Sequence, residues 1–177
     1  MSRRARTRMQ HPRRAAVNTV QMAINGTQKL SDRDIAQQIA LVRHAVAEFA
    51  RGTNSAHHWV SLADTANIAE TLADMRLGGG PDAQALIERA QQALHDVYRR
   101  QAAGGTWVPH ADEIDALLWL APLHEVQLDA CSYRQFETAY RRTAQRMAQA
   151  LAGNAAPGAR VIVGQIDSTA APAAAGA

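Results

Sequence analysis

The sequence predicts an all-α protein, a bundle of about five helices carrying a basic N-terminal arm and ending in a short C-terminal β-strand. Three observations carry that expectation. Apolar residues recur at spacings of three and four in five segments, glycines punctuate the gaps between them, and aromatic residues make up only 5% of a chain that is 47% hydrophobic and rich in alanine. Alanine favours helix and lets helices approach closely, whereas sheet sandwiches draw on aromatic and β-branched residues. At 177 residues the chain is long enough to bury roughly 70% of its unfolded surface, so a core needs no disulfide or metal staple.

The first helix opens at Ser31 with Asp34 in a capping-box-like pair, shows Ile35, Ile39, Val42, Val46 and Phe49 on one face, and stops at Gly52. The second runs from Ser55 to Leu77 with Trp59, Leu62, Ala66, Ala69, Leu72 and Met75 on one side, and the triplet Gly78-Gly79-Gly80 ends it as a linker. The third begins near Asp82 after Pro81, carries Leu86, Ala90, Leu94 and Val97 widened by Ile87 and Tyr98, and stops at Gly104-Gly105.

The fourth follows Thr106-Trp107-Val108-Pro109. Asp112, Glu113 and Asp115 complement its positive end, Ile114, Leu117, Ala121, His124, Leu128 and Cys131 form its stripe, and Pro122 is expected to kink it. The fifth starts at Ser132 with Gln135 three residues on, shows Phe136, Tyr140, Thr143, Met147 and Ala150, and stops at Gly153. The expected core comprises Ile39, Val46, Leu62, Leu72, Leu94, Leu117, Leu128, Phe136 and Met147.

Both ends lie outside the bundle expected over residues 31–153. Residues 1–30 read as an arm plus a short segment in which Val17, Val20 and Ile24 fit a helix while Val20, Met22 and Ile24 fit a strand, and the choice stays open. Residues 154–169 read as a linker and a strand, because β-branched residues dominate 160–166 between Pro157-Gly158 and Ser168-Thr169. A lone strand needs a partner: residues 17–24, residues 106–108, or the same strand of a second chain. Residues 170–177 hold only Ala, Pro and Gly and are expected to be disordered.

Charge is distributed unevenly. Arg3, Arg4, Arg6, Arg8, Arg13 and Arg14 give the first 14 residues a charge of +6 with no acid, leaving 13 basic against 16 acidic residues, a net −3, in the remainder. Like charges at that density cannot enter a core, so the arm is expected to contact nucleic acid or an acidic protein surface. Arg141, Arg142 and Arg146 on the fifth helix form an auxiliary basic patch. The one cysteine, Cys131, excludes an intramolecular disulfide and a cysteine zinc site. No secretory h-region and no apolar run near the roughly 20 residues of a membrane span occur, so a cytoplasmic location without membrane contact is expected.

Candidate chemistry is sparse, and no cofactor is expected. Adjacent His57 and His58 point about 100° apart on a helix, which suits a polar helix start better than one shared ion. A di-iron bundle needs Glu-x-x-His pairs, and neither Glu-x-x-His nor Asp-x-x-His occurs. His44 and Glu48 make an exposed i, i+4 pair. His124 falls on an apolar stripe, where a histidine is usually a satisfied core group, its bond expected to go to a carbonyl freed near Pro122. Cys131 extends the same stripe as a small hydrophobe, so no nucleophile is assigned.

The stretches HHWVSLADTANIAETLADM, ALHDVYRRQAAGGTW and DEIDALLWLAPLHEVQLDACS resemble helical proteins encoded by prophages and mobile elements of GC-rich proteobacteria, over roughly residues 55–165. The resemblance implies a bacterial cytoplasm and a setting in which small non-enzymatic binding proteins are common; it assigns no residue a role. The expected function is therefore non-enzymatic nucleic-acid binding by an oligomeric bundle through its arm. The alternative is a protein-binding module or inhibitor of a host complex, with the arm steering association.

Overall fold

The computed structural model describes residues 26–53, 55–154 and 162. Along them run α1 (Asp32–Ala50), α2 (Ser55–Asp74), α3 (Ala83–Ala102), α4 (Ala111–Leu118), α5 (Leu120–Ala130) and α6 (Tyr133–Leu151), with no sheet among the described residues. The helices form a bundle around α2, which packs against α1, α3, α5 and α6. The alanine-rich composition of α2 permits this: Ala63, Ala66 and Ala69 are all buried, so neighbours approach it from several sides.

Local chemistry starts the helices where expected. The Ser31 hydroxyl accepts the Asp34 N–H at 3.2 Å, and the Ser132 and Gln135 side chains each accept from the other's backbone N–H, at 3.4 and 2.8 Å. Each such cap satisfies donors that the first helical turn leaves open and is worth about 1 kcal/mol. α4 starts directly after Pro109, as expected, with Asp112 and Glu113 in its first turn: His110 is its cap, and its N–H donates to Glu113 at 2.6 Å.

Helix ends follow one pattern. Beyond α1, α3 and α6 the left-handed residue is Gly52, Gly104 or Gly153, and paired bonds back into the last turn close each helix. Beyond α2 the same bonds, Arg76 N–H to Ala73 O at 2.8 Å and Leu77 N–H to Leu72 O at 3.0 Å, put Arg76 in that position at φ 59°. The helix therefore ends at Asp74, short of the expected Leu77 and before the glycine triplet. Nor is the triplet a mere linker: a Cβ on Gly78 would lie 2.8 Å from the Gln127 Cα, so this turn is pressed against the backbone of α5.

The expected fourth helix is two helices broken at Trp119, three residues before Pro122. A proline cannot donate to the carbonyl four residues back, and its ring crowds that turn. The disruption therefore lands N-terminal to it, and Pro122 sits in the first turn of α5, where no donor is needed.

The apolar faces of α1 through α5 meet in one core that includes Ile39, Phe49, Leu62, Ile87, Leu94, Leu117, Leu120 and Leu128. Truncating a residue such as Leu94 to alanine costs about 2–5 kcal/mol, cavity included. Trp59 is buried there, donates to the Leu94 carbonyl at 2.8 Å, and stacks with Tyr98 and Trp107 at ring separations of 5.2 and 5.7 Å. Residues 106–108 thus cap an aromatic cluster and offer no strand.

α6 departs from expectation. Its buried residues are Ala139 and Thr143, Phe136 and Met147 are half-buried, and Tyr140 is 58% exposed. The helix packs chiefly on α2, Phe136 lies against the core, and of the expected stripe Tyr140 is the residue turned to solvent. Ahead of it, Gly26 and Thr27 are helical, and Lys29 forms an isolated antiparallel bridge with Ser132. Residues 15–25, including the undecided Val20–Ile24 segment, lie outside the described residues, as do the tail and all of 160–166 except Ile162.

Candidate binding surfaces

The contact between α2 and α6 is polar. Asn67, Glu70, Thr71 and Asp74 recur at helical spacing along α2, and they face Thr143 and Arg146 of α6. The Thr71 and Thr143 hydroxyls share a hydrogen bond at 2.7 Å, and both also lie on the Asn67 carbonyl oxygen, at 3.0 and 3.4 Å. The Arg146 guanidinium donates to buried Glu70 at 2.8 Å and to Thr71 at 3.2 Å, and lies 3.6 Å from Asp74. Gln91 of α3 donates to the same Glu70 oxygen at 3.3 Å. A buried carboxylate is tolerable only when paired and hydrogen-bonded in this way.

Arg146 is therefore committed to α2, not presented as a free cation. The other two arginines of the expected patch differ: Arg141 pairs with Glu137 at 3.2 Å one turn back, and Arg142 faces solvent. Exposed Tyr133 and Tyr140, seven residues apart, share a face with Arg134 and Arg141 at their sides. Arg3, Arg4, Arg6, Arg8, Arg13 and Arg14 lie outside the described residues.

Asn67 is 1% exposed, and its carboxamide makes two bonds to one distant residue. The Ile162 N–H donates to Asn67 Oδ1 at 3.1 Å, and Asn67 Nδ2 donates to the Ile162 carbonyl at 3.0 Å. A side chain of α2, and not residues 106–108, thus pairs the backbone of the expected strand at this position. A signal for these residues was present in the sequence, since Asn67, Glu70, Thr71 and Asp74 lie at i, i+3, i+4 and i+7. Polar stripes at that spacing usually face solvent, which is why they pass for an outer surface.

A second exposed surface lies along α4 and α5. Trp119 is 55% exposed beside exposed Leu118, and Pro122 and Val126 follow Trp119 at spacings of three and then four on one outer face. The core-facing side of α5 is different. His124 is 4% exposed, and its Nδ1 lies 3.5 Å from Gln127 Oε1, while Gln127 Nε2 donates to the Ala69 carbonyl at 2.9 Å. Its partner is thus a neighbouring amide and not a carbonyl freed by Pro122. Burial lowers the pKa of His124 to about 4, so the imidazole is neutral near pH 7.

His57 and His58 gain a third neighbour, with the His58 ring 5.6 Å from His57 and 5.7 Å from His44. Burial, then the charges of His57 and His44, lower the pKa of His58. Among the described residues no three His, Cys, Asp or Glu side chains converge as a metal would require. Glu113, one of the three acids at the start of α4, is gripped by Arg100 through bonds of 3.0 and 2.7 Å. Burial pulls its carboxyl upward, but the bonds from Arg100 and the His110 N–H outweigh it and hold the pKa below the ordinary value. No described helix is long and apolar enough to cross a membrane. No protein-family model matches the chain, and neither a curated protein nor a solved structure matches it.

Proposed function

We propose that this chain is a non-enzymatic, phage-type nucleic-acid-binding protein that grips phosphates with its arginine-rich arm and uses the outer face of α6 as a second contact. The charge split carries this proposal: six arginines without an acid in residues 1–14, on a body of net −3. Such an arm neutralises phosphates and releases their counterions. The exposed face of α6 supports it, because Tyr133 and Tyr140 offer rings for stacking beside Arg134, Arg141 and Arg142. A second copy of the bundle would set the spacing of two arms.

The test is a binding titration on duplex and single-stranded nucleic acid with the full chain and with a chain lacking residues 1–14. Six phosphate contacts predict a slope of log affinity against log salt of about −5 on duplex DNA, nearly lost with the arm. Absence of binding at low salt overturns the proposal. A protein partner is then favoured by one specific observation, the exposed Leu118, Trp119 and Val126, since a half-exposed tryptophan is a common anchor of protein interfaces.

A further inference from the structure

Positive charge in the body of the chain is concentrated on one helix. After Arg14 the chain holds 13 basic and 16 acidic residues, of which α6 takes four and one, so the rest carries 9 against 15, a net −6. Arg146 is committed to Glu70 and Asp74, which leaves Arg134, Arg141 and Arg142 on the exposed side. The single acid of the helix, Glu137, is covered by Arg141 at 3.2 Å. A cationic helix on an acidic body selects an anionic partner and turns it toward this face.

The tyrosines decide which anion that is. Tyr133 and Tyr140 are 56% and 58% exposed, although each carries a large apolar ring. Their separation of seven residues sets them in one line along α6, two turns or about 10 Å apart. A stacked strand advances about 3.4 Å per nucleotide, so the two rings address bases about three nucleotides apart. Stacking needs an open base face. In a duplex both faces of each base are covered by its neighbours, and uncovering one means unstacking the helix, whereas a single strand offers its faces freely. Duplex and single strand both supply phosphates to the arginines, so it is the rings that discriminate between them.

The entry of the chain places this face next to the arm. The Tyr133 N–H donates to the Gln28 carbonyl at 2.9 Å, Lys29 bridges Ser132, and a Cβ on Gly26 would lie 3.3 Å from the Arg134 side chain. Residues 26–29 are thus fastened to the start of α6, beside the first tyrosine. Eleven residues separate Gly26 from Arg14, a tether of at most about 40 Å. A strand held by the arm is therefore kept at high effective concentration over α6, which is itself about 28 Å long.

We propose, resting on the nucleic-acid reading of the arm, that the outer face of α6 is a single-strand-selective subsite. Tyr133 and Tyr140 stack on unpaired bases of the same molecule whose phosphates the arm grips, and Arg134 and Arg142 flank its backbone.

The probe is a fluorescently labelled oligo-dT of about 12 nucleotides, alone and annealed to its oligo-dA complement. Each form is titrated by anisotropy against the full chain and against a Tyr133→Ala/Tyr140→Ala double variant. Both side chains are exposed, so the helices are expected to persist, which circular dichroism checks. Loss of each ring is expected to weaken single-strand binding about ten-fold, about 100-fold for the pair, with duplex affinity unchanged. Tyr133→Phe/Tyr140→Phe keeps the rings and is expected to hold single-strand affinity within about two-fold. An equal loss on both probes, or no loss on the single strand, overturns the subsite while nucleic-acid binding by the arm stands. Binding of neither probe by the unaltered chain overturns both.

Discussion

At position 76 an arginine stands where three other helix ends place glycine. A left-handed backbone costs a residue with a Cβ about 1–2 kcal/mol, part of which glycine forfeits through its freer unfolded chain. Arg76→Gly is therefore expected to stabilise the protein by about 0.5–1 kcal/mol, seen as a higher urea midpoint at unchanged slope. An unchanged or lower midpoint counts against it. His124 sets a pH dependence. Unfolded, its imidazole takes a proton near pH 6.5; folded, only near pH 4. Between those values the unfolded state binds more protons, so the full stability exists above pH 6.5 and falls as pH drops toward 4. The loss from this group at pH 5 is about 2 kcal/mol. Relative to His124→Gln, which does not titrate, the unaltered chain should lose that much more stability between pH 7 and pH 5; a constant difference would rule out the buried neutral histidine.

Among the elements, the turn between α2 and α3 separates two effects that look identical in sequence. Gly78 and Gly80 have φ of +71° and +65°, yet a Cβ on Gly78 meets α5 backbone at 2.8 Å while one on Gly80 meets nothing within 4 Å. Gly80→Ala is expected to cost about 1–2 kcal/mol from backbone strain alone. Gly78→Ala adds overpacking of about 1–3 kcal/mol against atoms that cannot swing aside, measurable as a lower melting temperature. Equal losses would show that the contact with α5 yields. What was legible in sequence follows the same division. Caps at Ser31 and Ser132, the stops at Gly52, Gly104 and Gly153, and the stripe Ile35–Phe49 rest on chemistry within one element and could be read directly. The end of α2 at Asp74 with Arg76 left-handed beyond it, the break at Trp119 and the outward turn of Tyr140 depend on which neighbour arrives, and no spacing rule encodes that. Asn67 was visible only as one polar residue on a helix, because its partner lies 95 positions away.

For the whole molecule, α2 and α6 stand at opposite ends of a stability gradient. α2 is enclosed by four helices, so its amides exchange only when the bundle unfolds globally. α6 fully buries only Ala139 and Thr143, packs half-buried Phe136 against the core, and is otherwise held by Arg146, the Thr71–Thr143 bond and the Ser132 cap. Polar ties of this kind contribute about 0.5–3 kcal/mol each, less than the apolar burial securing α1 to α5. Hydrogen exchange should therefore show α6 opening as a separate unit at a free energy below that of global unfolding. Glu70→Gln keeps the shape at Arg146 but removes the charge it pairs with. Its effect should concentrate in α6, raising exchange there several-fold while α2 amides shift only by the global loss. Uniform acceleration across both helices would mean that α6 is as firmly built in as the core, and that the surface proposed to meet nucleic acid moves only with the entire bundle.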